Sequence, residues 1–340
     1  MKIITSKAKR GEDSGLFVRD GDFAYKIEHT WAKWPSEVKG SDVLGASCDS
    51  EGNLIVTTSH LGYPICIFST DGNFVRAFAQ GILDRPHGVF ITKNNTLLCA
   101  DSGPKLHIIV EVDMQGNLVR TFGNKGVPSD TGFDGQALAR ARERGLISPE
   151  DEKDPLLDLN LRLDSIKRAG EPFNTPCGMA VASNGEMFAV DGYGNAAIHK
   201  FAPDGTYMKT WGGPGTGVGQ FRLPHWVWID KYDRLWISDR ENSRIVVYNT
   251  NGEVLAVVEG GLWRSASVWG NERNVFIGEL GGGVSIVDLE KMEMAAQFGF
   301  KGFQLFACHG ICGDAKGNLY ITSIRGFRFL GNMLRLSPIK

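Results

Sequence analysis

The chain has 340 residues, 37 basic and 39 acidic side chains, and a formal net charge of −2. That balance argues against nucleic acid or an anionic membrane surface as the main partner. Hydrophobic residues make up 42%, enough for a large core, yet no run approaches the roughly 18 apolar residues of a membrane-spanning helix. The N-terminal MKIITSKAKRGEDSG has no apolar segment of the kind a secretory leader needs. The six cysteines lie mostly in apolar runs without metal-knuckle spacing, and read as buried free thiols of a cytoplasmic protein.

In chain order, the first predicted element is a strand over 23–34, FAYKIEHTWAKW, with no local partner. After it come six segments of one design: a short apolar strand, a polar turn, a second strand, another turn and two further strands. The second strands open at Leu54, Leu97, Met187, Leu235, Val275 and Leu319. Their spacing is blade-sized, roughly 40–50 residues, except for one interval twice as long. First and second strands are joined by turns such as SEGN (50–53), SNGE (183–186) and AKGN (315–318), rich in residues that tolerate positive φ. Such strands cannot bury both faces alone, and packing around an axis solves this. The prediction is a single all-β domain over 1–340, a six-bladed β-propeller, with residues 23–34 supplying the outer strand that closes the last blade. The long interval holds a helical insertion over 124–172, with a helix start at Ser148-Pro149-Glu150-Asp151.

Ten positions before the second-strand residues of blades two, four and six stand His87, His225 and His309, three of the chain's seven histidines. Blades one, three and five place Leu44, Cys177 and Ser265 there. Alternate blades of six are about 120° apart, so the histidines form a tripod aimed at the axis. This is the geometry of a three-histidine metal site with open positions, suited first to zinc and also to iron, manganese or copper.

The turns from second to third strand share the histidine face. They carry DGYGN (191–195) and DRENSR (239–244). Tyr193 is thereby placed as a phenolic acid or base, and Arg240 as a group to hold a carboxylate or stabilise an oxyanion. The insertion emerges on this face as a lid; its Arg140 and Arg144 either bind an anionic substrate or belong to a solvated helix face.

RPHG (85–88), DGYGN (191–195), LPHW (223–226), DREN (239–242) and CHG (308–310) together resemble the NHL-repeat propellers of the peptidyl-α-hydroxyglycine α-amidating lyases, from about residue 23 to the end. The resemblance implies zinc held by His87, His225 and His309, catalysis by Tyr193, a site arginine at Arg240, and cleavage of a carbinolamide. The chain departs from the family at three places, the first being Ala307 where the family has a methionine two residues before the third histidine. Ser59 and His60 stand where the first blade has a functional arginine, which makes them candidate substrate-binding groups and His60 a candidate acid–base group. Gly310 replaces an acid tied to a structural calcium, so calcium is not expected. The expected function is a metal-dependent lyase or hydrolase acting on a small polar, carboxylated or carbinolamide-like molecule. The alternatives are a lactonase-like hydrolase and a non-catalytic binding or scaffold propeller.

Overall fold

The computed structural model describes residues 1–7, 10–14, 16–299, 307–324 and 330–339, with only the backbone described over 12–14. Six antiparallel sheets surround an axis. Blade one is β5 (Val43–Cys48), β6 (Leu54–Thr58), β7 (Ile65–Phe68) and β8 (Phe74–Phe78). Blade two is β9 (Pro86–Ile91), β10 (Thr96–Asp101), β11 (Ile109–Asp113) and β12 (Leu118–Phe122). Blade three is β13 (Pro176–Val181), β14 (Met187–Asp191), β15 (Ala197–Phe201) and β16 (Tyr207–Gly212). Blade four is β17 (Pro224–Ile229), β18 (Leu235–Asp239), β19 (Arg244–Tyr248) and β20 (Val254–Glu259), and blade five is β21 (Ser265–Gly270), β22 (Asn274–Glu279), β23 (Gly283–Asp288) and β24 (Glu293–Phe298).

Blade six takes β25 (Gly310–Gly313), β26 (Leu319–Thr322) and β27 (Met333–Pro338) from the C-terminal end. Its fourth strand is β4 (Phe23–Glu28), paired antiparallel with β27 so that Arg335 lies opposite Glu28 and Pro338 opposite Tyr25. Residues 29–34 leave the sheet, and Trp31 and Trp34 pack on the core of blade one. The N-terminal arm extends further than the sequence pattern indicates. Strand β1 (Lys2–Thr5) adds parallel to β20 at the outer edge of blade four. Strands β2 (Glu12–Ser14) and β3 (Phe17–Asp20) extend blade six outward.

Burial explains the strand compositions. Inner and middle strands are covered on both faces by neighbouring blades, so LIVTT and LWISD are buried throughout and need no alternation. Outer strands face solvent, and YMKTWG in β16 has no fully buried residue. The apolar clusters lie between blades, as where Phe188 and Ile198 of blade three meet Leu235 and Val246 of blade four. Each such side chain contributes roughly 1.5–3 kcal/mol when fully buried.

The insertion contains α1 (Ala137–Glu143) and α2 (Leu157–Ser165). Ser148 and Asp151 do form reciprocal capping bonds, Ser148 N to Asp151 Oδ2 and Asp151 N to Ser148 Oγ. They open only a 3₁₀ turn over Asp151–Lys153. Pro155 disfavours helical backbone at the preceding Asp154, which is extended at ψ 112°. The Asp154 carboxylate then receives Leu156 N, and α2 begins beyond it. Among the described residues no helix is long and apolar enough to cross a membrane.

Candidate metal centre

His87 and His225 are the second residues of β9 and β17, and His309 immediately precedes β25. The three are almost fully buried, and their ring centroids are 4.8, 4.8 and 5.0 Å apart at interplanar angles of 86°, 86° and 74°. Their potential ligand nitrogens lie within 4.8 Å of one another.

Each imidazole is oriented by the next blade. Nδ1 of His87 donates to Cys177 O at 2.8 Å, that of His225 to Ala266 O at 2.5 Å, and that of His309 to Leu44 O at 2.9 Å. A carbonyl only accepts, so Nδ1 carries the hydrogen and the lone pair of Nε2 is left toward the axis. The strand register also corrects one alignment. The residue of blade five equivalent to the histidines is Ala266, not Ser265, because Gly270 pairs with Val275 across a turn one residue shorter than in the other blades. Glycine permits the close approach of the first strands: a Cβ at Gly88 would lie 2.4 Å from Cys177 O, and one at Gly310 would lie 2.7 Å from Leu44 O.

Burial lowers the pKa of all three histidines. It takes His309 to about 3, against the opposing pull of the Leu44 carbonyl. His87 and His225 fall well below the ordinary range, with the positive field of His309 and Arg240 adding to burial. Three neutral imidazoles with bare, convergent Nε2 atoms are the donor set that a divalent metal requires. The Nε2 of His309 is buried and has no hydrogen-bond partner among the described residues, and a metal would satisfy it. The residues therefore fit a metal, although they do not select which one.

Tyr193 stands over the other two. Its hydroxyl lies 3.0 Å from Nε2 of His225 and 3.3 Å from Nε2 of His87, and accepts from Arg240 Nη1 at 3.2 Å. Two tight approaches set its loop: a Cβ at Gly192 would sit 2.4 Å from Pro224 O, and one at Gly194 would sit 2.3 Å from Asn174 Oδ1. Asp191 Oδ2 receives Asn174 N and Asn195 Nδ2, and the insertion contributes Thr131 Oγ1 to Gly194 O and Gly170 N to Asn195 Oδ1. Asp239 does the same for the next turn, receiving Arg222 N, Asn242 Nδ2 and Arg244 Nε. Burial raises the Tyr193 pKa despite the opposing field of Arg240.

Arg240 is 3% exposed. Its burial acts against its charge, but Tyr193 and Glu241 outweigh that and hold the guanidinium above its ordinary range. Glu241 receives Arg240 Nε at 2.7 Å and both Nε and Nη2 of Arg264 at 3.0 and 2.7 Å. Sequence reasoning does not single out Glu241 or Arg264. Glu241 could have been found inside DREN, whereas Arg264 arrives from the connection into blade five, where no motif marks it.

The other candidates lie apart from this cluster. Ser59 is exposed, and its Oγ receives Asp42 N. The His60 Nδ1 receives Gly62 N in its own turn, and the ring meets Tyr63 edge-on at 5.2 Å. Arg140 pairs with Asp134 at 2.9 Å, and Arg144 is exposed at the end of α1. The contacts of Ser59, His60 and Arg140 are with their own surroundings rather than with the tripod. Exposed Arg85, two residues before His87, is electrostatically closer: its charge acts on His87, His309 and Tyr193.

No family model matches the chain. It is similar to NHL repeat-containing protein 3 of Mus musculus, 27% identical over 67% of this chain and 57% of that protein. It is also similar to peptidyl-alpha-hydroxyglycine alpha-amidating lyase 2 of Drosophila melanogaster, 39% identical over 27% of this chain and 22% of that protein. The chain thus spans little more than half the length of the first of these relatives. Among solved structures, a streptogramin B lyase matches with a TM-score of 0.59 at 11% identity, covering 96% of this chain and all of that one. This last likeness bears on the overall fold alone.

Proposed function

We propose that the chain is a metal-dependent lyase or hydrolase whose substrate is a small polar molecule, carboxylated or carbinolamide-like, bound over the histidine tripod. The observation that carries this reading is the convergence of three neutral Nε2 atoms with the Tyr193 hydroxyl and the Arg240 guanidinium. The similarity to amidating lyases supports it. Bound there, a divalent cation, zinc by donor preference, supplies Lewis acidity at a substrate oxygen.

The chain's own residues do the rest. Burial keeps the proton on Tyr193, so the phenol acts first as a donor to the departing group. The contact from Arg240 Nη1 stabilises the phenolate left behind. Glu241 and Arg264 fix the direction of Arg240. The insertion holds the Tyr193 loop through Thr131 and Gly170, and in this reading it also limits water at the mouth.

The first test is metal analysis by plasma mass spectrometry of the wild type and of His87→Ala, His225→Ala and His309→Ala. About one zinc, iron or manganese per chain, lost in each variant, supports the reading and directs substrate screening to α-hydroxy amides, hydroxy acids and lactones. Wild-type protein that stays metal-free when expressed with metal supplied overturns it in favour of a binding propeller.

A further inference from the structure

We propose that Cys48 and Cys312 form an oxidisable thiol pair whose disulfide locks the joint at which the propeller ring closes. Their sulfurs are 3.6 Å apart, with Cys48 ending β5 of blade one and Cys312 within β25 of blade six. All six cysteines are free. Cys66 and Cys308 instead direct their sulfurs to oxygen, Cys66 to Tyr63 O and Cys308 to Ser267 Oγ and Gly310 O. Cys48 is half-buried and Cys312 buried, so one sulfur is open to an oxidant and the other waits behind it.

The position of the pair gives oxidation a consequence. Blade six is assembled from two pieces of chain, β25–β27 from the C-terminal end and β4 from the N-terminal end, held together by the β4–β27 pairing. Strand β4 leads into blade one, so opening the ring at this joint separates β27 from β4 and β25 from β5. Cys312 lies on the first side of that joint and Cys48 on the second. The third tripod contact, His309 Nδ1 to Leu44 O, joins the residue just before β25 to β5. A cross-link there holds the ring and the orientation of His309 together.

A hydroperoxide is the oxidant class that balances the step. The Cys48 thiolate attacks the peroxide, the O–O bond breaks, and Cys48 sulfenic acid and hydroxide form. The Cys312 sulfur then displaces hydroxide from the Cys48 sulfur, an S–S bond forms, and the thiol proton leaves with it as water. Two thiols and one hydrogen peroxide give one disulfide and two waters.

The experiment treats reduced, full-length protein with hydrogen peroxide, blocks the remaining thiols, and maps peptides by mass spectrometry. Thermal melts are recorded alongside. The expected result is a Cys48–Cys312 cross-linked peptide and a Tm raised by about 5 °C or more, reversed by dithiothreitol. Cys48→Ser and Cys312→Ser proteins, each compared with its own untreated form, show neither effect. Because the wild type alone supplies the cross-link readout, a variant that folds poorly leaves the test intact. Sulfinic acid at Cys48 without a cross-link, a cross-link to another cysteine, or a cross-link that leaves Tm unchanged overturns the proposal.

Discussion

The two sides of the histidine tripod are built differently. Toward blades three and four, His87 and His225 both meet the Tyr193 hydroxyl, the loop behind it is bonded to the insertion, and Arg240 of blade four donates to that hydroxyl. Toward blades six and one, the Nε2 of His309 has no hydrogen-bond partner among the described residues, and its blade is closed by pairing between strands from opposite ends of the chain. The three positions are equivalent in register but not in surroundings. Repeat symmetry therefore supplies the ligand set, and departures from it supply chemistry on one side and a joint on the other.

The comparison is broken most completely at the joint. Removing residues 1–28 takes away β4 and the arm across blades four to six, and exposes the apolar face that Tyr25 and Ile27 cover. The expected outcome in a thermal melt is a Tm lowered by more than about 10 °C or loss of cooperative unfolding. An unchanged melt would show that β27 can serve as an outer strand by itself.

Next in size are the ligands. His225→Ala removes one donor together with the shorter Tyr193 contact, whereas His309→Ala removes a donor that has no such contact. Both are expected to lower metal content at least about tenfold. Only His225→Ala should also disturb the Tyr193 environment in near-ultraviolet circular dichroism. Equal spectra in the two variants would make the sides equivalent after all.

Tyr193→Phe keeps the ring and all three imidazoles. Metal content should stay at the wild-type level while turnover of a substrate found by screening falls about 10²–10⁴-fold. Metal loss comparable to that of the histidine variants would recast the tyrosine as a ligand support.

Glu241→Gln weakens the bracing of Arg240 and leaves two guanidinium groups with a neutral partner. Breaking a buried pair of this kind costs about 3–5 kcal/mol when a whole side is removed, so the isosteric change should lower stability by less than that, read in urea unfolding.

The smallest effect lies again at the joint. The hydrogen bond from Arg335, with that from Ser337, holds the Glu28 carboxyl below its ordinary value despite partial burial. A carboxyl depressed in the folded state stabilises above its unfolded pKa, and that stability is lost as pH falls through the folded value. Acidification below about pH 4.5 should therefore lower Tm, and Glu28→Gln should remove a small part of that slope. Because the pair is partly solvated, the difference should stay below about 1 kcal/mol.

Much of this was legible in one dimension. The strand–turn spacing names the fold because inner propeller strands, covered on both faces, read as apolar runs separated by Asn-, Asp- and Gly-bearing turns. His87, His225 and His309 stand out because repeats convert a common register into a common position about the axis. Blade five shows the limit of counting: a turn one residue shorter moves the equivalent position from Ser265 to Ala266, and only the pairing of Gly270 with Val275 reveals it. Ser148 likewise has the residues of a helix cap, but Pro155 stops the capped turn before it lengthens into a helix.

Repetition along the chain determines six blades, a histidine on every second one, and two turns that carry Tyr193 and Arg240 on the same face. What only the tertiary structure decided is what breaks the repeat. Glu241 gains its meaning from Arg264, which arrives from another blade, and Cys48 gains its meaning from Cys312, which lies in the neighbouring blade across the closing joint. Ser59, His60 and Arg140 share the right face by topology, yet they are engaged by their own surroundings, and Arg144 is exposed at the end of α1. The reason is physical: register along a strand fixes which face and level a side chain occupies, while which side chains meet depends on how separate blades close around the axis.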